Sequence, residues 1–323
     1  MNMFFRCKHI AARDADAWTK IGFGLHLTLT SAAKEFRDHK GDHVVFALEG
    51  QNSWRKKFYT PYKHNRTEKR QALTEEQLEE DELFFDAYND LCNFLDKRTN
   101  CTVLQVEGAE GDDVIAHWTQ MHPNDEHVII SADTDFIQLI DRNVKQYNGV
   151  SKRLITYDGV YDDKGQPVVD NKTKEVMPAP DPAWELFFKC IRGDTGDNVF
   201  SSYPGAYLKG TKNKIGIREA YEDRVSQGYN WNNFMLQRWL DHNSEEHKVI
   251  DDYERNMTLI DLTRQPDHIR EGMDIALANA YMKPPAKMVG AQLLKFCGKY
   301  DLVKIAEFPN RYADVLNAGL PDL

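Results

Sequence analysis

Three short β-branched runs, each breaking off into acids, constrain this chain more than any other feature. His43-Val44-Val45-Phe46-Ala47-Leu48 runs directly into Glu49. Thr102-Val103-Leu104-Gln105-Val106 is followed within a few residues by Glu110, Asp112 and Asp113, and His127-Val128-Ile129-Ile130 leads to Asp133 and Asp135. Runs this short and this rich in Val and Ile predict buried strands. Between them, residues 17–39 and 75–97 repeat apolar side chains at helical spacing, the second with Leu78, Leu83, Phe84, Ala87, Leu91 and Leu95, and Asp112–Gln120 reads as a further helix. Strands alternating with helices predict an α/β domain with a mainly parallel central sheet flanked by helices. In open sheets of that kind ligands bind beyond the carboxyl ends of the strands, and that is where these acids stand.

The character changes after residue 148. Residues 148–182 hold four Pro together with Asp162-Asp163-Lys164-Gly165 and Asn171-Lys172-Thr173-Lys174, which predicts hairpins and loops. Asp181-Pro182 then looks like a helix cap followed by Pro in the first turn, leading into Glu185–Arg192. A soft boundary near 180 divides the chain into 1–180 and 181–323, the latter mainly helical. There is no internal repeat and no low-complexity tract.

Composition narrows the function classes. Fifty-one acidic against 41 basic residues give a formal charge of −10, which argues against a uniformly basic nucleic-acid coat while leaving room for local basic faces. The five Cys are scattered without CxxC spacing, so neither a disulfide framework nor a zinc ribbon is indicated, and reduced, buried thiols are expected. The absence of any apolar run near the roughly 20 residues of a membrane span, and of a signal peptide's apolar region in MNMFFRCKHIAARD, points to a cytoplasmic protein without membrane association. No GxSxG elbow, Walker loop or dinucleotide fingerprint occurs, which disfavours serine hydrolases, P-loop enzymes and dehydrogenases. His117, His122 and His127 have no fixed metal spacing and read as surface or satisfied core residues.

The acids carry the chemistry. Glu49, Glu110, Asp112, Asp113, Asp133 and Asp135 gathered at one sheet edge would repel one another and raise one another's pKa unless cations neutralised them. Oxygen ligands favour Mg²⁺ or Mn²⁺, and two such ions about 3.5–4 Å apart can activate water and stabilise a leaving oxygen in phosphodiester cleavage. Taken singly, Asp135 before Phe136 could equally cap a helix and Glu49 could be an ordinary strand-end residue. Arg192-Gly193-Asp194-Thr195-Gly196-Asp197-Asn198 adds a fourth cluster whose i, i+3 acids would share one side of a helical turn, although two glycines around an acid also fit a plain loop. Across 54–70, seven Lys or Arg face the single acid Glu68 and alternate with aromatics, as in Trp54-Arg55-Lys56-Lys57-Phe58-Tyr59. That pattern suits cations on phosphates and rings on bases, or a solvated charged helix. Glu75–Asp96 holds nine acids and no Lys or Arg, which reads as a solvated outer helical face. Lys209-Gly210-Thr211-Lys212-Asn213-Lys214-Ile215-Gly216-Ile217-Arg218 offers a phosphate-binding turn before a helix, or a charged loop.

Val106–Asp113, Ser131-Ala132-Asp133-Thr134-Asp135-Phe136 and Gly193-Asp194-Thr195-Gly196-Asp197-Asn198, in this order, resemble the acidic motifs of the 5′-nuclease superfamily, and most closely those of the bacteriophage exonucleases, including the phage enzyme called ribonuclease H. The likeness covers about residues 2–265 by motif order. It implies a PIN-like nuclease domain within 1–180, with a helical arch at about 52–98, and a helix–three-turn–helix in the region 181–323. It further implies two Mg²⁺ ions, with Mn²⁺ as a substitute: Glu110, Asp112, Asp113 and Asp133 on the first ion or its waters, and Asp135, Asp194 and Asp197 with the second. Glu49 stands where the family usually has Asp, and its extra methylene favours a water-mediated contact. Tyr62-Lys63-His64-Asn65-Arg66 resembles the basic signature of the arch, which would put Lys63 and Arg66 on the scissile phosphate. Arg55, Lys56, Lys57, Lys212, Lys214 and Arg218 would touch nucleic acid, although the turn departs from the usual Gly-x-Gly.

Asn2-Met3-Phe4-Phe5-Arg6 resembles the tail of the family's first motif, so that Arg6 and His9 would lie near the site, with Arg6 steadying the phosphate. By that register the motif's Asp would precede Met1. Either the recorded start is internal, or the chain is a variant with weakened or lost catalysis. The resemblance thus implies a metal-dependent 5′-3′ exonuclease or flap endonuclease acting on DNA with 5′ ends, flaps or RNA primers in phage replication. A single-stranded-DNA-binding protein and a clamp are candidate partners, and the host cytoplasm is the expected location. Two alternatives remain: a non-enzymatic binder of branched DNA lacking the first Asp, and a carboxylate-dependent phosphatase of another α/β fold, which would not need the basic 54–70 stretch.

Overall fold

Periodicity and capping decide where the elements begin. The structure is a computed structural model that describes residues 4–5, 15–204, 216–241 and 243–320. Helix α1 (Ala17–Asp38) starts where Asp16 accepts the Thr19 amide at 2.8 Å, satisfying one of the amide donors that a helix start leaves without a partner. After β1 (Val45–Ala47) come the short helices α2 (Trp54–Phe58) and α3 (His64–Gln71). Helix α4 (Glu75–Arg98) opens with a reciprocal capping box: the Gln77 amide donates to the Thr74 hydroxyl and the Thr74 amide to the Gln77 side chain. Next are β2 (Thr102–Leu104), α5 (Gly111–Met121), β3 (His127–Ile130), a 3₁₀ turn at Thr134–Leu139, and the strands β4 (Val144–Asn148), β5 (Arg153–Thr156) and β6 (Gly159–Asp162). The Asp181-Pro182 signal is confirmed: Asp181 caps α6 (Pro182–Arg192) by accepting the Trp184 amide at 3.0 Å.

By internal contacts the chain forms two compact units, the first from Met1–Asn52, Lys69–Val114 and His268–Leu323, the second from Ser53–Glu68 and Ile115–Asp267. The first holds a parallel pair, β1 with β2, in the register Val45 to Thr102 through Ala47 to Leu104. Its core joins Leu25 and Leu29 of α1 and Phe84, Leu91 and Leu95 of α4 to the C-terminal helices, through Leu293, Phe296, Val315 and Leu316. The acidic segment 75–96 is therefore an outer face only in part, because Phe84, Ala87, Leu91 and Leu95 of its apolar stripe lie in this core, whereas Leu78 and Leu83 are exposed.

The second unit holds a four-stranded sheet in the order β3-β4-β5-β6, parallel between β3 and β4 and antiparallel beyond. The sequence expectation of parallel strands holds for both crossover pairs. Strands β4, β5 and β6 add hairpins at the start of the 148–182 stretch, and the named turns at 162–165 and 171–174 are closed by the bridges Tyr161 to Pro167 and Val169 to Val176. A second core in this unit gathers Phe187, Cys190, Ile191, Tyr221, Trp231, Phe234 and Tyr253. The expected boundary near 180 falls within it. Two short helices, Ile217–Glu222 and Tyr229–Met235, occupy the region where a helix–three-turn–helix is expected.

Among the described residues no helix is long and apolar enough to cross a membrane. Cys92, Cys101, Cys190 and Cys297 are free thiols, the last three buried, as their scattered spacing suggested.

Candidate active site

In the first unit, the end of β1 and the start of α5 bring acids and backbone amides together. Glu49 is exposed at the strand end, and its Oε2 accepts the Gly111 amide at 3.0 Å. Gln105 donates its side-chain amide to the Glu49 carbonyl at 2.7 Å, and the Gly50 amide donates to the Ala109 carbonyl at 2.9 Å. Position 50 must be glycine, since a Cβ there would come within 1.9 Å of the Val106 carbonyl oxygen. Glu110 and Asp113 are buried, and Asp113 reaches back to accept the Glu110 amide at 3.0 Å. That bond is half of a capping box, and the partial positive charge of the helix start favours both Asp112 and Asp113 in the first turn.

The second unit carries the other acids. Asp133 caps the 3₁₀ turn, its Oδ1 accepting the Asp135 amide at 3.0 Å. The capping role considered for Asp135 thus belongs to Asp133, and Asp135 is left to pair with Lys189. Near the C-terminus of α6, the Lys189 ammonium hydrogen-bonds the Asp135 carboxylate and lies 2.8 Å from Asp194 Oδ2. Burial alone would lower the Lys189 pKa, but the two carboxylates outweigh it and raise the value above that of an ordinary lysine. Burial pushes Asp135 up, Lys189 opposes the rise, and Asp133 and Asp194 add to it. Asp194 is held below the usual carboxylate range: burial works against this, but the Lys189 ammonium and the Gly196 and Asp197 amides prevail.

Asp194 and Asp197 do not share a helical turn. Residues 194–199 form a loop closed by backbone bonds in both directions between Asp194 and Val199, at 2.8 and 2.7 Å, with Asp194 Oδ1 accepting the Gly196 amide inside it. Gly193 enters this loop at φ 75°, and a Cβ there would stand 2.4 Å from the Val199 carbonyl oxygen. Asp197 meets the basic signature. Its carboxylate pairs with Arg66, lies 3.6 Å from Lys63 Nζ, and accepts from the Tyr62 hydroxyl at 3.2 Å. The turn is fastened by the Lys63 amide on the Asp197 carbonyl and the Asn198 side chain on the Pro61 carbonyl, both at 2.8 Å. The expected phosphate contacts, Lys63 and Arg66, are thus neutralised here by one of the expected metal ligands.

Arg55 requires a correction. It is 1% exposed, lies over the Trp54 ring at 4.6 Å, and donates Nε to the Leu259 carbonyl at 2.7 Å, so it supports the fold rather than a strand path. Lys56 and Lys57 are exposed. Arg218 is exposed too, resting over Trp184 at 4.6 Å and pairing with Glu222. Arg6, His9, Lys212 and Lys214 lie outside the described residues. His122 and His127 bond backbone carbonyls at 2.8 and 2.9 Å, in line with their bland reading. Sequence reasoning missed Lys189. The available signal was a lone ammonium in the otherwise apolar run Leu186-Phe187-Phe188-Lys189-Cys190-Ile191, since a charge so placed needs buried partners.

Whether these acids suit a metal is testable on the donors themselves. They are carboxylate oxygens, the ligand type of Mg²⁺ and Mn²⁺. Asp135 and Asp194 already clasp a cation, the Lys189 ammonium, which stands in for an ion between them. The set fits.

Comparison with known proteins follows the same direction. A family model described as "5′-3′ exonuclease, N-terminal resolvase-like domain" matches residues 2–165. The chain is 26% identical over 200 residues to the flap endonuclease of Escherichia phage T5, covering 61% of each protein. It is 28% identical over 176 residues to the flap endonuclease Xni of Shewanella denitrificans, covering 54% of this chain and 59% of that protein. The chain therefore spans about three-fifths of the length of these curated relatives. Among solved structures, a phage T5 protein co-crystallised with metal ions aligns with a TM-score of 0.52 at 21% identity, covering 94% of this chain and 96% of that one. A phage T5 flap endonuclease in a pseudo-enzyme–product complex with DNA and metal ions aligns with a TM-score of 0.52 at 22% identity, covering 95% and 96%. At these identities the structural likeness speaks for the fold.

Proposed function

Because the chain belongs to the 5′-3′ exonuclease family through its N-terminal resolvase-like domain, we propose that it is a metal-dependent 5′-nuclease hydrolysing phosphodiester bonds at 5′ ends, flaps or RNA primers of phage DNA. One observation carries the reading. Within the second unit, Asp135 and Asp194 enclose a cation while Asp197 holds both basic residues of the Tyr62–Arg66 signature. Metal-binding acids and phosphate-binding cations are thereby in direct contact.

In this reading Glu49, Glu110, Asp112 and Asp113 in the first unit and Asp133, Asp135, Asp194 and Asp197 in the second are the ligands of Mg²⁺ ions or of their waters. Bound divalent ions would supply Lewis-acid polarisation of the phosphoryl oxygens and a water of lowered pKa. The chain's own groups do the rest. Lys63 and Arg66 exchange Asp197 for the substrate phosphate, Arg66 with a planar fork and Lys63 as a point charge. The exposed Lys56, Lys57 and Arg218 hold backbone phosphates without reading sequence. The Asp194–Val199 loop, closed by backbone bonds at both ends, holds Asp194 beside Lys189 and Asp197 beside Lys63 and Arg66. The division into a nuclease region 1–180 and a helical DNA-gripping region 181–323 belongs to the same proposal, as do the cytoplasmic location and replication proteins as partners.

The test is cleavage of 5′-labelled flap DNA and of an RNA–DNA hybrid. We expect cutting that requires Mg²⁺ or Mn²⁺, stops with chelator, and is lost in Asp135→Asn and Asp194→Asn. Lys63→Ala should slow it by about 100-fold or more, the scale for removing one group at a centre of developing charge. Cutting that persists in chelator would sink the proposal. Tight flap binding without turnover in either metal would assign the chain to the non-cutting binders of branched DNA.

A further inference from the structure

Away from those acids, the second unit collects another set of metal-type donors on a hairpin. Strands β7 (Arg238–Leu240) and β8 (Glu246–Lys248) pair antiparallel. Asp241 and Glu245 lie in the intervening turn, with His247 on β8. One ligand-type atom from each of the three lies within 4.8 Å of the other two.

Two of these donors are already aimed. The His247 ring stacks on Trp239, centroids 4.4 Å apart at 16°, and its Nδ1 lies 3.0 Å from Asp252 Oδ2. Asp252 is buried, belongs to the helix Val249–Ile260, and pairs through its other oxygen with Arg255. With Nδ1 committed to that carboxylate, Nε2 faces Asp241, whose Oδ2 is 3.9 Å away. Asp241 is fixed in turn: its Oδ1 accepts the amides of Asn243 and Glu245 at 2.9 and 2.8 Å, and its Oδ2, on the histidine side, accepts from the Asn243 side-chain amide at 3.3 Å. Glu245 is exposed and can swing.

We infer that Asp241, Glu245 and His247 form a binding site for a borderline first-row divalent ion, of which Zn²⁺ is the reference case. A histidine whose far nitrogen is held by a carboxylate is the arrangement that fixes the tautomer and raises the basicity of a metal-bound imidazole. The imidazole nitrogen separates this site from the all-oxygen acids described above, because it favours Zn²⁺ and its neighbours over Mg²⁺. Donors about 2.0–2.1 Å from a tetrahedral ion stand about 3.3 Å apart, so the observed spacing, within 4.8 Å for the three donors and 3.9 Å between Asp241 and His247, closes with an inward swing of Glu245 and a small approach of Asp241 to His247. Water completes the coordination. The ion neutralises two carboxylates and ties the hairpin turn to β8, and through Asp252 to the following helix. Binding the folded state alone, it stabilises that state by mass action.

The full chain would be titrated with Zn²⁺ in saturating Mg²⁺, so that all-oxygen sites are filled, with binding followed by calorimetry and the histidine side-chain nitrogens by NMR. Neither readout depends on nuclease activity, so failure here and failure of the nuclease proposal are separable. The expected result is a saturable event that shifts the His247 Nε2 resonance, raises Tm, and weakens by about tenfold or more in His247→Ala and in the exposed variant Glu245→Gln. Unchanged Zn²⁺ affinity in both variants would overturn the proposal. So would a His247 resonance that titrates with pH yet ignores Zn²⁺, which would assign the cluster to a protonated histidine between carboxylates.

Discussion

Arg55, Lys56 and Lys57 are three consecutive cations with three identical claims on a phosphate in the sequence, yet only the lysines face solvent. Arginine suits the buried position because its guanidinium is weakly hydrated and can lie flat on an indole while donating to a carbonyl. Arg55→Ala is therefore expected to cost about 1.5–3 kcal/mol of stability, the range for a hydrogen bond from a charged group, measured by urea denaturation. Lys56→Ala should leave stability unchanged and reduce the salt slope of DNA binding by about one. A salt slope that responds to Arg55→Ala alone would reverse the assignment. Lys189 makes the same point from the other side: its partners lie in the 3₁₀ turn and in the 194–199 loop, and nothing local to α6 names them.

Elements in the first unit are joined by side chains as well as by strand pairing. His43, just before β1, is flanked by the Thr102 hydroxyl at 2.8 Å from Nε2 and the Ala318 carbonyl at 3.0 Å from Nδ1. A carbonyl can only accept, so Nδ1 carries the proton and Nε2 accepts from Thr102. Burial, the largest cause, lowers the His43 pKa from 6.5. The sign follows from linkage: below the unfolded value the unfolded chain takes up a proton that the native one resists, so stability is lost as pH falls through about 6.5. Wild type should lose stability between pH 7 and pH 5 more steeply than His43→Gln, as read by Tm across that range. Parallel slopes would show that this histidine does not govern the acid sensitivity.

Across the whole molecule, the first unit is assembled from three segments far apart in the chain. Residues after 265 offer no sequence motif, yet Phe296 stacks on Phe94 with centroids 4.5 Å apart at 20°, and Leu293, Ile305 and Leu316 are almost fully buried. The C-terminal helices are thus part of the first unit's core. Phe296→Ala should cost about 3–5 kcal/mol, as expected for emptying a large buried site, visible as a lowered denaturation midpoint with an unchanged slope. A loss below about 1 kcal/mol would mean that this core does not close over Phe94.

Periodicity, caps and the order of the acids were legible in the sequence because each is written within three or four residues. Asp181 before Pro182, Thr74 before Gln77 and the β-branched runs ending in acids all report local backbone demands, and the ordered acidic motifs sufficed to place the chain in its family. Tertiary structure alone decided that Asp133 caps while Asp135 binds Lys189, that Asp197 holds Lys63 and Arg66, and that Arg55 is interior. It also brought His247 between Asp252 and Asp241. Each of those outcomes depends on which distant segment supplies the partner, and a charge's partner is set by the low-dielectric space that folding closes around it rather than by its neighbours along the chain.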